Sequence, residues 1–133
     1  MGVYLSYAEA DEKLAGELAE ALRAKGVPIS DPARDLPVGE NWALQIGLAL
    51  ERADAMIVLL TPNSLEAKHV NQEIDFALTN RHFKNRLFPV LGAVDAASIP
   101  WILRELGVAN IEAGVSVVAD GIAKRLIGEP QPA

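Results

Sequence analysis

Glu73 stands where a carboxylate can do chemistry on a substrate. It lies in a stretch from Lys68 to Leu78, "KHVNQEIDFAL", in which Val70, Ile74 and Ala77 recur at the spacing of a helix that buries one face. At about 100° per residue, Glu73 points roughly 60° away from Val70, at the edge of that face. Its carboxylate is therefore either a boundary group paired with a nearby Lys or Arg, or a group held in a cleft for catalysis.

The sequence lacks the residue patterns that several other kinds of catalytic or binding site require. The chain has no cysteine, which excludes disulfides, thiol nucleophiles and Cys-ligated zinc. His69 and His82 lie far apart without further ligands beside them, so no metal site is expected. No Walker loop, dinucleotide-binding glycine motif or serine elbow occurs. The apolar segment before Thr61 ends without the aspartate that a phosphate-accepting receiver domain needs.

Composition predicts one soluble, cytoplasmic domain. The 133 residues carry a net charge of −6, which argues against nucleic acid and anionic membrane surfaces as partners. Half of the residues are hydrophobic, but no apolar run approaches the roughly 20 residues of a membrane span. We expect residues 1–127 to form the domain. The last six, 128–133, read "GEPQPA" and are typical of a linker or disordered tail, with a C-terminal sensor or regulatory domain beyond it.

Short apolar segments alternate with amphipathic ones along the chain. This alternation predicts an α/β fold of the flavodoxin-like class, a three-layer sandwich. A five-stranded parallel sheet in the order 2-1-3-4-5 would carry helices on both faces. The predicted strands are "VYLSY", "VPIS", "AMIVLLT", "RLFPVLG" and a weak fifth, "GVANIE". The predicted helices are Asp11–Lys25, a segment from Trp42 to Ala53, the segment that holds Glu73, and one from Val115 to Leu126.

In this strand order a crevice opens at the carboxyl ends of strands 1 and 3, where ligands bind. The residues after these strands and the long loop Asp31–Glu40 would line the crevice. A turn at Pro62–Ser64 would lead into the helix of Glu73, which we expect to begin near Ala67 or Lys68. Glu73 would then lie in the second turn, with its side chain leaning toward the helix start and the crevice.

Four motifs resemble the Toll/interleukin-receptor (TIR) domain family, bacterial type. They are "VYLSYAEAD", "DLPVGENW", "ADAMIVLLTPNSL" and "VNQEIDFAL", and the resemblance runs from Val3 to about Leu126. Many members cleave NAD at the bond between nicotinamide and ribose, and the family's catalytic glutamate matches Glu73. A carboxylate there would stabilise an oxocarbenium-like ribosyl centre. The resemblance makes NAD a substrate and implies no cofactor.

The resemblance departs from the catalytic pattern at two places. His69 stands where catalytic members often carry tryptophan, four residues before the glutamate. The segment after the first strand is often basic in relatives that cleave nucleotides, whereas here it contains Ala8, Glu9 and Asp11. Backbone N–H groups at the start of the first helix would have to hold a pyrophosphate instead.

Six further residues are candidates for contact with substrate. Tyr7 ends the first strand and could equally be a packing residue with its hydroxyl in water. Trp42 heads an apolar helical stripe, which favours a core position. Ser64 suits a helix cap, and the imidazole of His69 could stack on a base or ribose. The six candidates are Tyr7, Ala8, Leu36, Trp42, Ser64 and His69.

Two functions are consistent with these features. The first is an NAD glycohydrolase that serves as the effector module of a bacterial defence system and is activated by self-assembly. Copies of the chain would associate through TIR–TIR contacts of the loop Asp31–Gly39 and of the region around Trp101. The alternative is a non-catalytic TIR scaffold, or a disruptor of host TIR signalling, in which Glu73 is incidental.

Overall fold

Five strands form one parallel sheet in the computed structural model, which describes residues 2–30, 42–80, 83, 86–94 and 96–127. The strand order is β2-β1-β3-β4-β5, the order predicted from the sequence, and the α/β class with a parallel sheet is confirmed. The two edge strands, β2 and β5, have two residues each. The strands are Val3–Ser6 (β1), Ile29–Ser30 (β2), Ala55–Leu60 (β3), Leu87–Leu91 (β4) and Ala109–Asn110 (β5).

Six α-helices in the described ranges connect these strands. They are Glu12–Ala24 (α1), Trp42–Arg52 (α2), Pro62–Glu66 (α3), Lys68–Thr79 (α4), Trp101–Glu105 (α5) and Val115–Ile127 (α6), with 3-10 turns at Glu9–Asp11, Ala96–Ser98 and Ile111–Ala113. Across these described segments, no helix combines the length and apolarity needed to span a membrane. The loop Asp31–Glu40, His82 and the tail 128–133 lie outside the described residues.

The position of β3 in the middle of the sheet explains why its sequence is continuously apolar. All six of its residues are buried, because helices cover both faces of the sheet. Successive side chains alternate between two separate apolar clusters. Ile57 and Leu59 belong to the cluster that includes residues of α1 and α6. Met56 and Val58 belong to the cluster that includes residues of α2, α4 and α5.

The same alternation in β1 directs the side chains that matter for the site. Leu5 joins the cluster beneath α1, whereas Tyr4 joins the cluster beneath α4. Ser6, two residues after Tyr4, is 1% exposed and shares its face of the sheet. Strand β1 therefore presents two hydroxyl groups to the face that α4 covers.

One local prediction was wrong. The segment that begins at Pro62 forms the short helix α3 rather than only a turn. Thr61 caps this helix: its hydroxyl accepts from the Ser64 backbone N–H, and the Ser64 hydroxyl accepts from the Thr61 N–H. This reciprocal pair satisfies N–H groups that the first turn of a helix leaves unpaired, so α3 is stable despite its length. Helix α4 then begins at Lys68, as predicted.

Candidate active site

The carboxylate of Glu73 is buried between α4 and β1, where two hydroxyl groups bind it. Glu73 is 5% exposed. The Tyr4 hydroxyl donates a hydrogen bond to Oε2, and the Ser6 hydroxyl donates one to Oε1 at 2.8 Å. No lysine or arginine in the described ranges lies within ion-pair distance of this carboxylate. The pairing expected of an ordinary boundary carboxylate is therefore not found in this part of the chain.

Tyr4 and Ser6 were not among the candidate residues identified from the sequence. The signal that could have indicated them is the pattern of β1 itself, in which hydroxyl residues alternate with Val3 and Leu5. Two polar groups on one face of a buried strand need hydrogen-bond partners, and a carboxylate on the covering helix supplies them.

Burial raises the pKa of Glu73 above its ordinary value, because removal from water disfavours the charged form. The hydrogen bonds from Tyr4 and Ser6, and to a smaller extent the electrostatic interaction with His69, act in the opposite direction. Burial is the largest of these effects, so the pKa remains raised. A carboxylate kept in this environment is typical of a functional site, since it reduces stability when ionised.

We expect Glu73→Gln to stabilise the chain increasingly as the pH rises. The pKa of folded Glu73 lies above the value of 4.5 that applies to an unperturbed glutamate. The folded state thus holds its proton more tightly, and this stabilisation is present below pH 4.5 and lost as the pH rises through the folded pKa. Glutamine keeps the shape without the charge. Thermal melting of both proteins from pH 4 to 8 measures the difference.

The melting temperature of the variant should rise relative to that of the wild type across this pH range. Each kcal/mol of difference in the free energy of unfolding corresponds to roughly 3–6 °C in a chain of this size. Asp75→Asn controls for loss of a charge from α4, since Asp75 is exposed on the same helix. A difference between wild type and Glu73→Gln that stays constant with pH would contradict the account.

His69 connects the start of α4 to the end of β1. Its Nε2 lies 3.1 Å from the backbone oxygen of Tyr7. A carbonyl oxygen only accepts, so Nε2 carries the proton and donates. The imidazole is otherwise exposed, which leaves its ring available to a ligand. The structure thus brings His69 and Glu73, both predicted from the sequence, together on one helix beside β1.

The carboxylate of Asp11 links the segments that follow β1 and β3. Asp11 accepts a hydrogen bond from the Thr61 hydroxyl through Oδ2 and one from Asn63 Nδ2 through Oδ1, the latter at 3.0 Å. These contacts join the beginning of α1 to the beginning of α3 across the point where the chain order reverses. The carboxylate also places negative charge at the start of α1, where an anion would otherwise be favoured.

The remaining candidates lie in different surroundings. The Tyr7 side chain is 7% exposed and packs in the cluster beneath α1, on the opposite face from Glu73. Ala8 is buried at the start of the following turn, and Ser64 is fully buried in its capping role. Leu36 lies outside the described residues, as does the side chain of Trp42, whose backbone begins α2.

A cavity of about 360 Å³ lies elsewhere on the molecule, at β4, β5 and α6. Its walls are largely apolar and include Val108, Val118 and Ile122. The Arg125 guanidinium lies over the Phe88 ring at 4.6 Å. This cavity contains none of the residues around Glu73.

Comparison with protein families gives one match that spans almost the whole chain. The family model described as the TIR domain matches residues 3–126. This range includes Tyr4, Ser6, His69 and Glu73. No curated protein sequence matches the chain significantly.

Three solved structures illustrate the likeness of fold. The TIR domain of the Toll-related receptor TRR-2 from Hydra magnipapillata has a TM-score of 0.73 and 17% identity, covering 92% of this chain and 97% of that one. A TIR-STING receptor from C. gigas, solved with 2′,3′-cGAMP, has a TM-score of 0.75 and 22% identity, covering 92% of this chain and 39% of the receptor.

The third is a 2-deoxyribosyltransferase from Bacillus psychrosaccharolyticus, described as a biocatalyst for nucleoside synthesis. Its TM-score is 0.60 at 14% identity, and the match covers 79% of this chain and 81% of the enzyme. At these identities the three likenesses report the fold alone.

Proposed function

Because the chain belongs to the TIR domain family, we propose that it is an NAD glycohydrolase that cleaves the bond between nicotinamide and ribose. The observation that carries this proposal is the buried carboxylate of Glu73. Two hydroxyl groups hold it in place, and no lysine or arginine among the described residues pairs with it. A buried carboxylate without a cation lowers stability, so a structural role alone accounts poorly for it. A role in chemistry accounts for it directly.

The reaction needs one negative group at the ribose. The bond between C1′ and the nicotinamide nitrogen breaks, and its electron pair returns to the positively charged ring, which leaves neutral. Positive charge develops on the ribosyl centre, where the Glu73 carboxylate stabilises it. Water then bonds to C1′ and releases a proton to solvent. Because nicotinamide leaves without protonation, no general acid is required. One carboxylate therefore suffices.

The other residues of this region would bind NAD, which is a substrate here and not a cofactor. The exposed imidazole of His69 can stack on the base or ribose while Tyr7 holds it through its backbone oxygen. We propose that Ala8, Leu36 and Trp42 complete the contacts, as their motif positions suggest. Ser64 would contribute chiefly by capping the first turn of the helix α3.

We further propose that self-assembly activates the domain. TIR domains self-associate, and Trp101 on α5 is 65% exposed, which suits a contact between copies. The loop Asp31–Gly39 would form the other contact. The C. gigas receptor joins its TIR part to a larger protein solved with 2′,3′-cGAMP. By analogy, this chain would serve as the effector of a bacterial defence protein whose C-terminal part senses a signal.

Nicotinamide release at increasing protein concentration tests both parts of this proposal. The chain is incubated with NAD, and free nicotinamide is measured by chromatography. We expect turnover per molecule to rise with concentration, and Trp101→Ala to weaken that rise. Leu48→Ala, which trims an exposed apolar residue on α2, is the control.

The experiment tests the enzymatic function and the activation by assembly separately. No nicotinamide at any concentration would contradict the enzymatic function. If nicotinamide is released but turnover per molecule does not depend on protein concentration, only the proposed activation by assembly is contradicted.

The second candidate is a non-catalytic scaffold or a disruptor of host TIR signalling. Two observations favour it: His69 stands in place of tryptophan, and Asp11 adds negative charge at the start of α1. Both weaken the binding of a dinucleotide with two phosphates. Co-precipitation of a second TIR domain, without nicotinamide release, would support this alternative.

A further inference from the structure

Tyr4 has a hydroxyl group that packing alone does not explain. The residue is 2% exposed, and its ring packs in the apolar cluster with Met56, Val58 and Val70. A phenylalanine would fill the same space. A buried hydroxyl costs free energy unless it is hydrogen-bonded, and the carboxylate of Glu73 accepts its hydrogen bond.

We propose that Tyr4, assisted by Ser6, is a positioning residue that fixes the Glu73 carboxylate in the orientation that faces the ribose, a role that rests on the proposed function. Both donors belong to β1, which pairs with β2 on one side and β3 on the other. A strand held on both sides is a rigid support. The flexible side chain of a glutamate gains a fixed direction from it.

The two hydroxyl groups leave the carboxylate able to act. An ionised carboxylate has two oxygens with about four acceptor sites. Tyr4 occupies one site on Oε2 and Ser6 one site on Oε1. Each oxygen thus keeps a further site for a ribose hydroxyl or for the developing positive charge. Orientation is gained without loss of the groups that touch the substrate.

The same hydrogen bonds favour the charged form of Glu73, which the reaction requires. In the described part of the chain, the titratable groups that face it are Tyr4 from β1 and His69 from α4. The side chains that β3 places in this cluster, among them Met56 and Val58, are apolar. Loss of the Tyr4 hydroxyl removes one of the effects that lower the pKa of Glu73 against burial.

Tyr4→Phe tests the proposal. We expect kcat to fall about tenfold or more, since a hydrogen bond to a charged group is lost, while KM changes little. The acid limb of the kcat profile should move to higher pH, because the carboxylate is harder to ionise. Ser6→Ala should act in the same direction, and Ser6→Thr, which keeps the hydroxyl, should restore activity.

Thr79→Val is the matched control. Thr79 lies at the far end of α4, where its hydroxyl donates to backbone oxygens of the same helix. The change removes a hydroxyl from α4 without touching the carboxylate. It should leave kcat and the pH profile unchanged.

A carboxyl titration followed by carbon-13 NMR gives a readout that does not depend on turnover. The signal of Glu73 is assigned by its absence in Glu73→Gln, and its midpoint should rise in Tyr4→Phe. Unchanged kcat and an unchanged midpoint in Tyr4→Phe, with an active wild type, would overturn the positioning role alone. A wild-type chain that releases no nicotinamide would overturn the proposed function and the positioning role with it.

Discussion

Glu73→Gln should reduce nicotinamide release by the concentrated chain at least about 100-fold, the loss expected when a charge-stabilising group is removed from an active site. Glutamine fills the same volume between α4 and β1 and can still bond to the hydroxyl groups of Tyr4 and Ser6. It carries no charge to oppose the positive ribosyl centre. Initial rates at one protein concentration, measured for wild type and variant, give the ratio.

The design separates catalysis from folding, because the two should change in opposite directions. The variant is expected to be more stable than the wild type at neutral pH while it loses activity. Asp75→Asn, on the exposed side of α4, should keep both properties. Equal rates in wild type and Glu73→Gln would remove Glu73 from the mechanism.

Leu59→Ala should lower the free energy of unfolding by about 3–5 kcal/mol, a large part of the stability of a small domain. Leu59 lies in the central strand β3 and is fully buried. Its truncation leaves a cavity beneath helices that pack on that face, in addition to the lost apolar burial. Urea denaturation followed by circular dichroism measures the change.

Leu48→Ala is the matched control for this prediction. Leu48 is 38% exposed on α2, so the same truncation should cost much less. Similar losses in the two variants would contradict the placement of β3 at the centre of the core. The comparison matters for the site as well, since β3 pairs with β1 and so supports the strand that carries Tyr4 and Ser6.

The sequence predicts the sheet because its signals are local. The continuous apolar run at β3 and the helical repeat around Val70 and Ile74 need no knowledge of the rest of the chain. The beginning of α4 near Ala67 or Lys68 was predicted because turn-forming residues at Pro62–Ser64 precede that repeat. The helix α3 was missed because Pro62 and Asn63 are typical of turns, while the reciprocal cap between Thr61 and Ser64 makes a short helix stable.

The partners of Glu73 could not be predicted from such patterns. Tyr4 and Ser6 are separated from it by 69 and 67 residues, so only the packing of α4 on β1 brings them together. The contact of Asp11 with Asn63 spans 52 residues in the same way. The candidate Glu73 was visible in the sequence, whereas the two hydroxyls that orient it depend on tertiary structure.

The stability and activity of the chain are thus expected to compete at one side chain. Glu73 is kept in a place that raises its pKa and weakens the fold when it is ionised. Hydrogen bonds from β1 offset part of that cost and fix the direction of the group. The exposed imidazole of His69 lies on the same helix and is available to the substrate.

The most direct test is a crystal structure of the assembled wild-type chain with an NAD analogue whose nicotinamide–ribose bond is replaced by a stable carbon linkage. We expect a Glu73 carboxylate oxygen to lie about 2.6–3.2 Å from a ribose hydroxyl, with Tyr4 still hydrogen-bonded to the carboxylate. An analogue bound with its ribose away from α4, and Glu73 in contact only with Tyr4 and Ser6, would contradict it.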